Sequence, residues 1–114
     1  MKRDMELIRK LLLALENDQV GELDEYDEAA VTYHKALLVE SGLAHGSVEE
    51  LAEGLAAVTF RLTWHGHEFL DAARDETGWR SVMKRVVTTV GTTSLPVLQV
   101  LLAEYAKSVL SGQR

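Results

Sequence analysis

The sequence predicts a mainly α, α+β fold: a winged helix-turn-helix-like core with a small two-stranded wing and two additional C-terminal helices. Three observations carry this reading. The stretch Val31-Thr32-Tyr33-His34-Lys35-Ala36-Leu37-Leu38 has apolar residues at helical spacing and stops at Ser41-Gly42-Leu43, where glycine takes up the left-handed C-cap at little cost. Arg61-Leu62-Thr63 reads as a short returning strand. Trp64-His65-Gly66-His67-Glu68-Phe69-Leu70 opens an amphipathic helix directly after it, giving the order helix, strand, connecting segment, strand, helix.

Each element has its own pattern. The first helix is expected over 3–16, with Asp4 near its positive end and Met5, Ile8, Leu11, Leu12 and Leu15 as an apolar stripe from which Lys2, Arg9 and Lys10 are excluded. Residues 17–25 contain Gly21 and several acids and read as a turn with at most one helical turn. The second long helix starts at Asp24 or at Tyr26-Asp27, with Asp27 and Glu28 favourable at its amino end. Ser47-Val48-Glu49-Glu50 matches a capping box and predicts a short helix over 48–55. Residues 56–63 alternate, with Val58, Phe60 and Leu62 assigned to the buried face, and are expected to pair with 43–45 as the wing.

The third long helix is expected from Trp64 or His65 to Glu76, ending at a break at Thr77-Gly78. Trp79, Val82, Met83, Val86 and Val90 then repeat at helical spacing as far as Gly91. Thr92-Thr93-Ser94 caps a last helix whose single proline, Pro96, falls in the first turn, where no backbone N–H is required. Leu95, Leu98, Leu101, Leu102, Tyr105 and Val109 form its apolar face. The β-rich runs 86–90 and 97–102 are read as helical because that spacing continues through their flanks. The expected organisation is one domain, 1–114, with a winged-helix core over 1–76 and a helical extension over 79–110 packed on it.

Composition narrows the function classes. A chain of 114 residues with 46% apolar composition has enough material for a core, burying roughly 65% of its unfolded surface. Cysteine is absent, so neither a disulfide framework nor a thiolate metal site is available, in keeping with a cytoplasmic location. Asp4, Glu6, Arg9 and Lys10 interrupt what would be the apolar part of a signal peptide, and no apolar run approaches the length of a membrane span. The net charge of −6 is unevenly placed: −3 over 1–26, −5 over 27–60 and +2 over 61–114. The segment expected to read DNA is thus the most acidic, which opposes the phosphate-neutralising term that dominates duplex binding.

The opening Met1-Lys2-Arg3-Asp4-Met5-Glu6-Leu7-Ile8-Arg9-Lys10, the Tyr33-His34 pair before Leu37-Leu38, the Ser41-Gly42-Leu43 stop and the run from Arg61 to Thr77 resemble a phage- and prophage-associated bacterial family, the domain of unknown function 2513 type. The resemblance implies a small cytoplasmic protein often encoded on mobile elements, and it supplies no reaction and no ligand. At fold level, residues 31–34 with Leu38 and Gly42-Leu43 are similar to the recognition helix of ArsR-type repressors, and Leu62-Thr63 with Gly66 to the strand-to-helix turn after the wing in MarR-type regulators. That similarity implies Thr32, Tyr33 and Ala36 facing a major groove and Arg61 near a phosphate. Lys35 departs from it, standing where those repressors carry an apolar residue.

Candidate sites divide the same way. His65 and His67, with His45, Glu68 or Asp71, are metal-ligand types, but helix positions two apart point to nearly opposite sides, which favours capping and packing. His34 reads as a partly buried helix-face residue with a ring nitrogen on a backbone carbonyl, Tyr33 as a packing residue, and Trp64 and Trp79 as core anchors. No nucleophile with a nearby base and no glycine-rich phosphate loop occurs, so no enzymatic activity and no cofactor are expected. Two functions remain. The first is a protein-binding module that modulates or inhibits a host or defence nucleic-acid-binding protein through Asp27, Glu28, Glu49, Glu50 and Glu53. The second is a dimeric DNA-binding transcriptional regulator that uses Thr32, Tyr33, Lys35 and Arg61 on duplex DNA, with the C-terminal helices pairing two subunits.

Overall fold

In a computed structural model, which describes residues 2–17, 23–90 and 95–110, the chain runs α1 (Met5–Asn17), α2 (Glu28–Glu40), β1 (Ala44–Leu51), β2 (Gly54–Leu62), α3 (Trp64–Ala73), α4 (Glu76–Val90) and α5 (Leu95–Leu110). Five helices and one two-stranded antiparallel sheet among the described residues make the α+β class expected from the patterning. The chain divides into two units, residues 1–68 and 69–114.

In the first unit Asp4 caps α1, its Oδ1 accepting the backbone N–H groups of Glu6 at 3.0 Å and Leu7 at 3.3 Å. Met5, Leu7, Ile8, Leu11 and Leu12 are buried, and so is Arg9, which the stripe had placed outside; Glu6 lies 3.8 Å from its guanidinium. Beyond α1, Lys10 bonds Glu25 at 2.5 Å and lies over the Tyr26 ring, tying the helix to the segment before α2. Most of the segment read as a turn, 18–22, lies outside the described residues.

Asp27 is the N-cap residue of α2, as its sequence suggested, although its side chain makes no capping bond. At the other end the stop is a Schellman motif: Gly42 at φ 79° donates to the Val39 carbonyl at 3.1 Å and Leu43 to the Leu38 carbonyl at 2.9 Å. Only glycine holds that φ without strain, so the helix ends where the sequence placed its end. His34, Ala36 and Leu38 form the buried stripe.

The segment after α2 departs from expectation. No helix forms over 48–55; β1 and β2 instead make a hairpin in register from Ala44↔Leu62 to Leu51↔Gly54 across a turn at Ala52 and Glu53. The capping-box pattern is local, and a helix of about two turns has little stability of its own. A ladder of paired strands with one face on a helix outweighs it. The expected pairing of 43–45 with the end of β2 is therefore the base of a longer wing.

A register shift between His45 and Gly46 leaves Phe60 as the extra residue of a bulge. That shift inverts the expected burial. Leu62 is buried, but Val58 is 54% and Phe60 64% exposed, while Ala57 and Thr59 take the half-buried side. At Gly46 the inner face has no room for a side chain: a Cβ there would overlap the Val58 carbonyl oxygen and lie 2.7 Å from Val39 Cγ2 of α2.

In the second unit α3 ends at Ala73, earlier than the expected Glu76, and α4 begins at Glu76, before the expected break at Thr77-Gly78. Asp75 is the reason. Its carboxylate accepts the Gly78 N–H at 3.1 Å and the Tyr105 hydroxyl at 2.9 Å, so it caps α4 and ties it to α5. Gly78 is a packing position, since a Cβ there would overlap the Tyr105 ring. Trp79 is 1% exposed and meets Phe69 edge to face, the core anchor its position predicted. The two β-rich runs are helical, and Leu98 and Leu102 of α5 are fully buried. The cap at 92–94 and the side chains at 86–90, Leu95 and Val109 lie outside the described residues.

Candidate functional site

The hairpin is held beside α2 by a junction built from the two motifs that dominate the sequence. Thr63, between β2 and α3, donates its backbone N–H to the Leu43 carbonyl at 3.1 Å and its hydroxyl to the Gly42 carbonyl at 2.5 Å. The same hydroxyl oxygen accepts the Gly66 N–H at 2.9 Å, making Thr63 the N-cap of α3. Gly66 lies directly on Leu43, and a Cβ at this position would overlap the Leu43 carbonyl oxygen. The Ser41-Gly42-Leu43 stop and the Thr63-to-Gly66 start are therefore one joint.

This joint accounts for the glycine of the His65-Gly66-His67 run. Among the described residues no group of three or more His, Asp or Glu side chains is gathered so as to hold a metal ion. His45, His65 and His67 are all exposed. His34 is different. It is 1% exposed, its Nδ1 donates to the Ala30 carbonyl at 2.7 Å, and its Nε2 accepts the Asp4 N–H at 2.8 Å. Both ring nitrogens are thus engaged by backbone, which fixes a neutral imidazole with its proton on Nδ1 and pins the start of α1 to α2. The expected bond to a carbonyl is present, but burial is complete where it was expected to be partial.

With the joint and the α1 clasp in place, the amino half of α2 and the hairpin tip flank an open groove of about 600 Å³. Asp27, Glu28, Ala29, Thr32 and Tyr33 line one wall, and Glu53, Gly54 and Leu55 the other. Among the described residues three that carry carboxylates line it and no cation does, while Tyr33 and Leu55 supply apolar surface. The tyrosine ring also meets His34 edge on, with centroids 5.4 Å apart.

The candidate residues fall on three surfaces. Asp27, Glu28 and Glu53 share the groove with Thr32 and Tyr33, so one cleft holds residues from both functional readings. Glu49 and Glu50 are exposed on β1, one on each side of the hairpin, and do not line it. Lys35 is half-buried on α2, and Arg61 is exposed opposite His45 at the far end of the hairpin from the tip. Leu55 was missed as a groove residue, because its neighbourhood was read as helix. Trp64 was expected in the core and is 81% exposed: as the first residue of α3, just after the Thr63 cap, it precedes the turns that pack.

Comparison with known proteins places the chain. Residues 2–93 match the family described as Hypothetical protein (DUF2513). The chain belongs to that family. It is similar to a protein of Haemophilus influenzae (strain Rd) described as uncharacterized, at 30% identity over 118 residues covering 97% of each chain. No solved structure matches it. The Arg61-to-Thr77 run and the opening decapeptide, apart from Met1, fall inside the matched region. The roles seen for their residues are structural: the α1 cap, the α2–α3 joint and the α4 cap.

Among the described residues no helix is long and apolar enough to cross a membrane.

Proposed function

We propose that this DUF2513 protein is a non-enzymatic, winged-helix-like module that binds a basic, partly apolar segment of another protein in the groove between α2 and the hairpin tip. The observation that carries the reading is the lining: Asp27, Glu28 and Glu53, with no cation among the described lining residues, beside Tyr33 and Leu55. Lysine or arginine would meet the carboxylates, and an aliphatic or aromatic side chain would lie against Tyr33 and Leu55. In a winged helix this cleft adjoins the helix that would enter DNA, and three carboxylates there repel phosphate. A protein whose basic surface normally holds nucleic acid fits that charge, and modulation of such a host or defence protein follows as the role. The phage and prophage setting implied by the family resemblance, and a cytoplasmic location, agree with it.

The test is anisotropy of a labelled peptide alternating lysine and leucine, titrated with the full chain. Binding weakened by Glu53→Lys and by Asp27→Lys, and unaffected by Glu104→Lys at an exposed position of α5, supports the reading. Equal effects of all three reversals would reduce it to general charge attraction.

The second reading, a dimeric DNA-binding regulator, is favoured by one arrangement: a helix followed at once by a long hairpin, with Thr32 on the helix and Arg61 on the wing. It requires both residues to contact duplex DNA despite the acidic cleft. Loss of operator binding in Thr32→Ala and Arg61→Ala would support it.

A further inference from the structure

The hairpin carries its larger apolar side chains on the wrong side for a free-standing module. Its inner face lies against α2 with Gly46 on Val39, whereas Val58, Phe60 and Leu51 stand on the outer face, 54%, 64% and 44% exposed. Trp64, just past the strand, adds another largely exposed ring. Without Trp64, the strand side chains Leu51, Val58 and Phe60 leave roughly 250–300 Å² of apolar surface in water, taking aromatic side chains at 150–250 Å² each. A stable interface buries about 800 Å² on each partner, a little over half of it apolar. The strand side chains supply more than half of that apolar share, and the polar residues flanking them complete the patch.

Its charges say what covers it. Along the outer face the cross-strand pairs are Glu49↔Ala56, Ser47↔Val58 and His45↔Arg61, so an acid stands at one end, a base at the other, and the apolar residues between them. Neither Glu49 nor Arg61 has an ion-pair partner among the described residues. Such a face complements itself. A two-fold axis crossing the strands at the level of Val58 sets Val58 on its copy, places Phe60 over the small Ala56 of the other chain, and brings Arg61 within reach of the other chain's Glu49. A two-fold interface sets each patch on its own copy, so an acid and a base at opposite ends of one face meet as two pairs.

We propose that the outer face of the β1–β2 hairpin is a homodimer interface, formed by Val58 and Phe60 with two symmetric Arg61–Glu49 pairs. It lies on the opposite side of the hairpin from α2, so it leaves the groove open and stands independently of the groove's function.

Sedimentation equilibrium of the full chain from micromolar to millimolar concentration tests it. A dimer is expected whose dissociation constant rises about tenfold or more with Phe60→Ser. Glu49→Arg and Arg61→Glu should each weaken it, and the two together should restore it, since reversing both ends recreates the pair. These positions are exposed, and unchanged circular dichroism verifies that each variant is folded. A monomer throughout the range overturns the proposal and leaves the face to a different protein. A dimer that survives Phe60→Ser and dissociates with Val100→Asp, an exposed position of α5, also overturns it and moves the contact to the C-terminal helices.

Discussion

His34 bridges α1 and α2, so removing its ring is the sharpest test of how the first unit is held. In His34→Ala the Asp4 N–H loses its acceptor at 2.8 Å, and the side chain leaves a space in a position that is 1% exposed. An amide left without a partner away from water costs about 1–3 kcal/mol. Truncation of a buried side chain adds about 1–2 kcal/mol at a site that relaxes in part. The Ala30 carbonyl contributes little to the loss, because it still accepts its helical partner. The expected cost is about 3 kcal/mol, a large share of the roughly 5–15 kcal/mol that stabilises a domain. Urea denaturation followed by circular dichroism measures it. His34→Gln restores an acceptor where Nε2 stood, so it should recover about 1 kcal/mol or more of the loss. A cost for alanine within about 0.5 kcal/mol, the level of an ordinary surface change, refutes the clasp, as does a glutamine variant no better than alanine.

The joint between α2 and α3 makes two further predictions. Gly66→Ala forces a methyl into the Leu43 carbonyl and should cost about 2–4 kcal/mol by urea denaturation, whereas the same change in an open helix position would stabilise. Thr63→Val keeps the shape but removes the N-cap and the bond to Gly42, for an expected loss of about 1–2 kcal/mol. Lys10 has its pKa raised, chiefly by the hydrogen bond from its ammonium to Glu25. A raised lysine pKa contributes stability that is complete below the unfolded value of 10.5 and is lost as pH rises through the folded value. Lys10→Met should therefore lose a small increment seen at neutral pH and absent at strongly alkaline pH, measured as the difference in denaturation midpoint from the wild type. The pair is open to water, its Glu25 side chain 58% exposed, so a large effect would contradict this placement.

Elements governed by local chemistry were legible in the sequence. Gly42 had to end α2, Pro96 had to sit in a first turn, and the stripe of α1 had to face inward, because each depends on neighbours within one or two turns. The failures involve partners distant in the chain. Ser47 and Glu50 complete a capping box only while strand β2 is ignored. Val58 and Phe60 point outward because of a bulge and because Gly46 draws the hairpin against Val39, neither of which alternation alone encodes. Asp75 moved the α3–α4 break through its bonds to Gly78 and to Tyr105, thirty residues away. The site was half visible: acidity over 27–60 pointed to Asp27, Glu28 and Glu53, but only the hairpin turn carries Glu53 across to α2 and adds Leu55. The His65-Gly66-His67 run drew attention for its histidines, whereas the glycine between them is the residue the fold requires.

An acidic groove that recruits a basic protein segment should exclude duplex DNA. Fluorescence anisotropy of labelled duplex DNA, random and from the native locus, should be read at several salt concentrations beside the lysine–leucine peptide. The peptide should bind and lose affinity with salt, and neither duplex should bind even at low salt. Tight binding of the native-locus duplex that weakens steeply with salt would contradict this reading and make this protein a DNA-binding regulator.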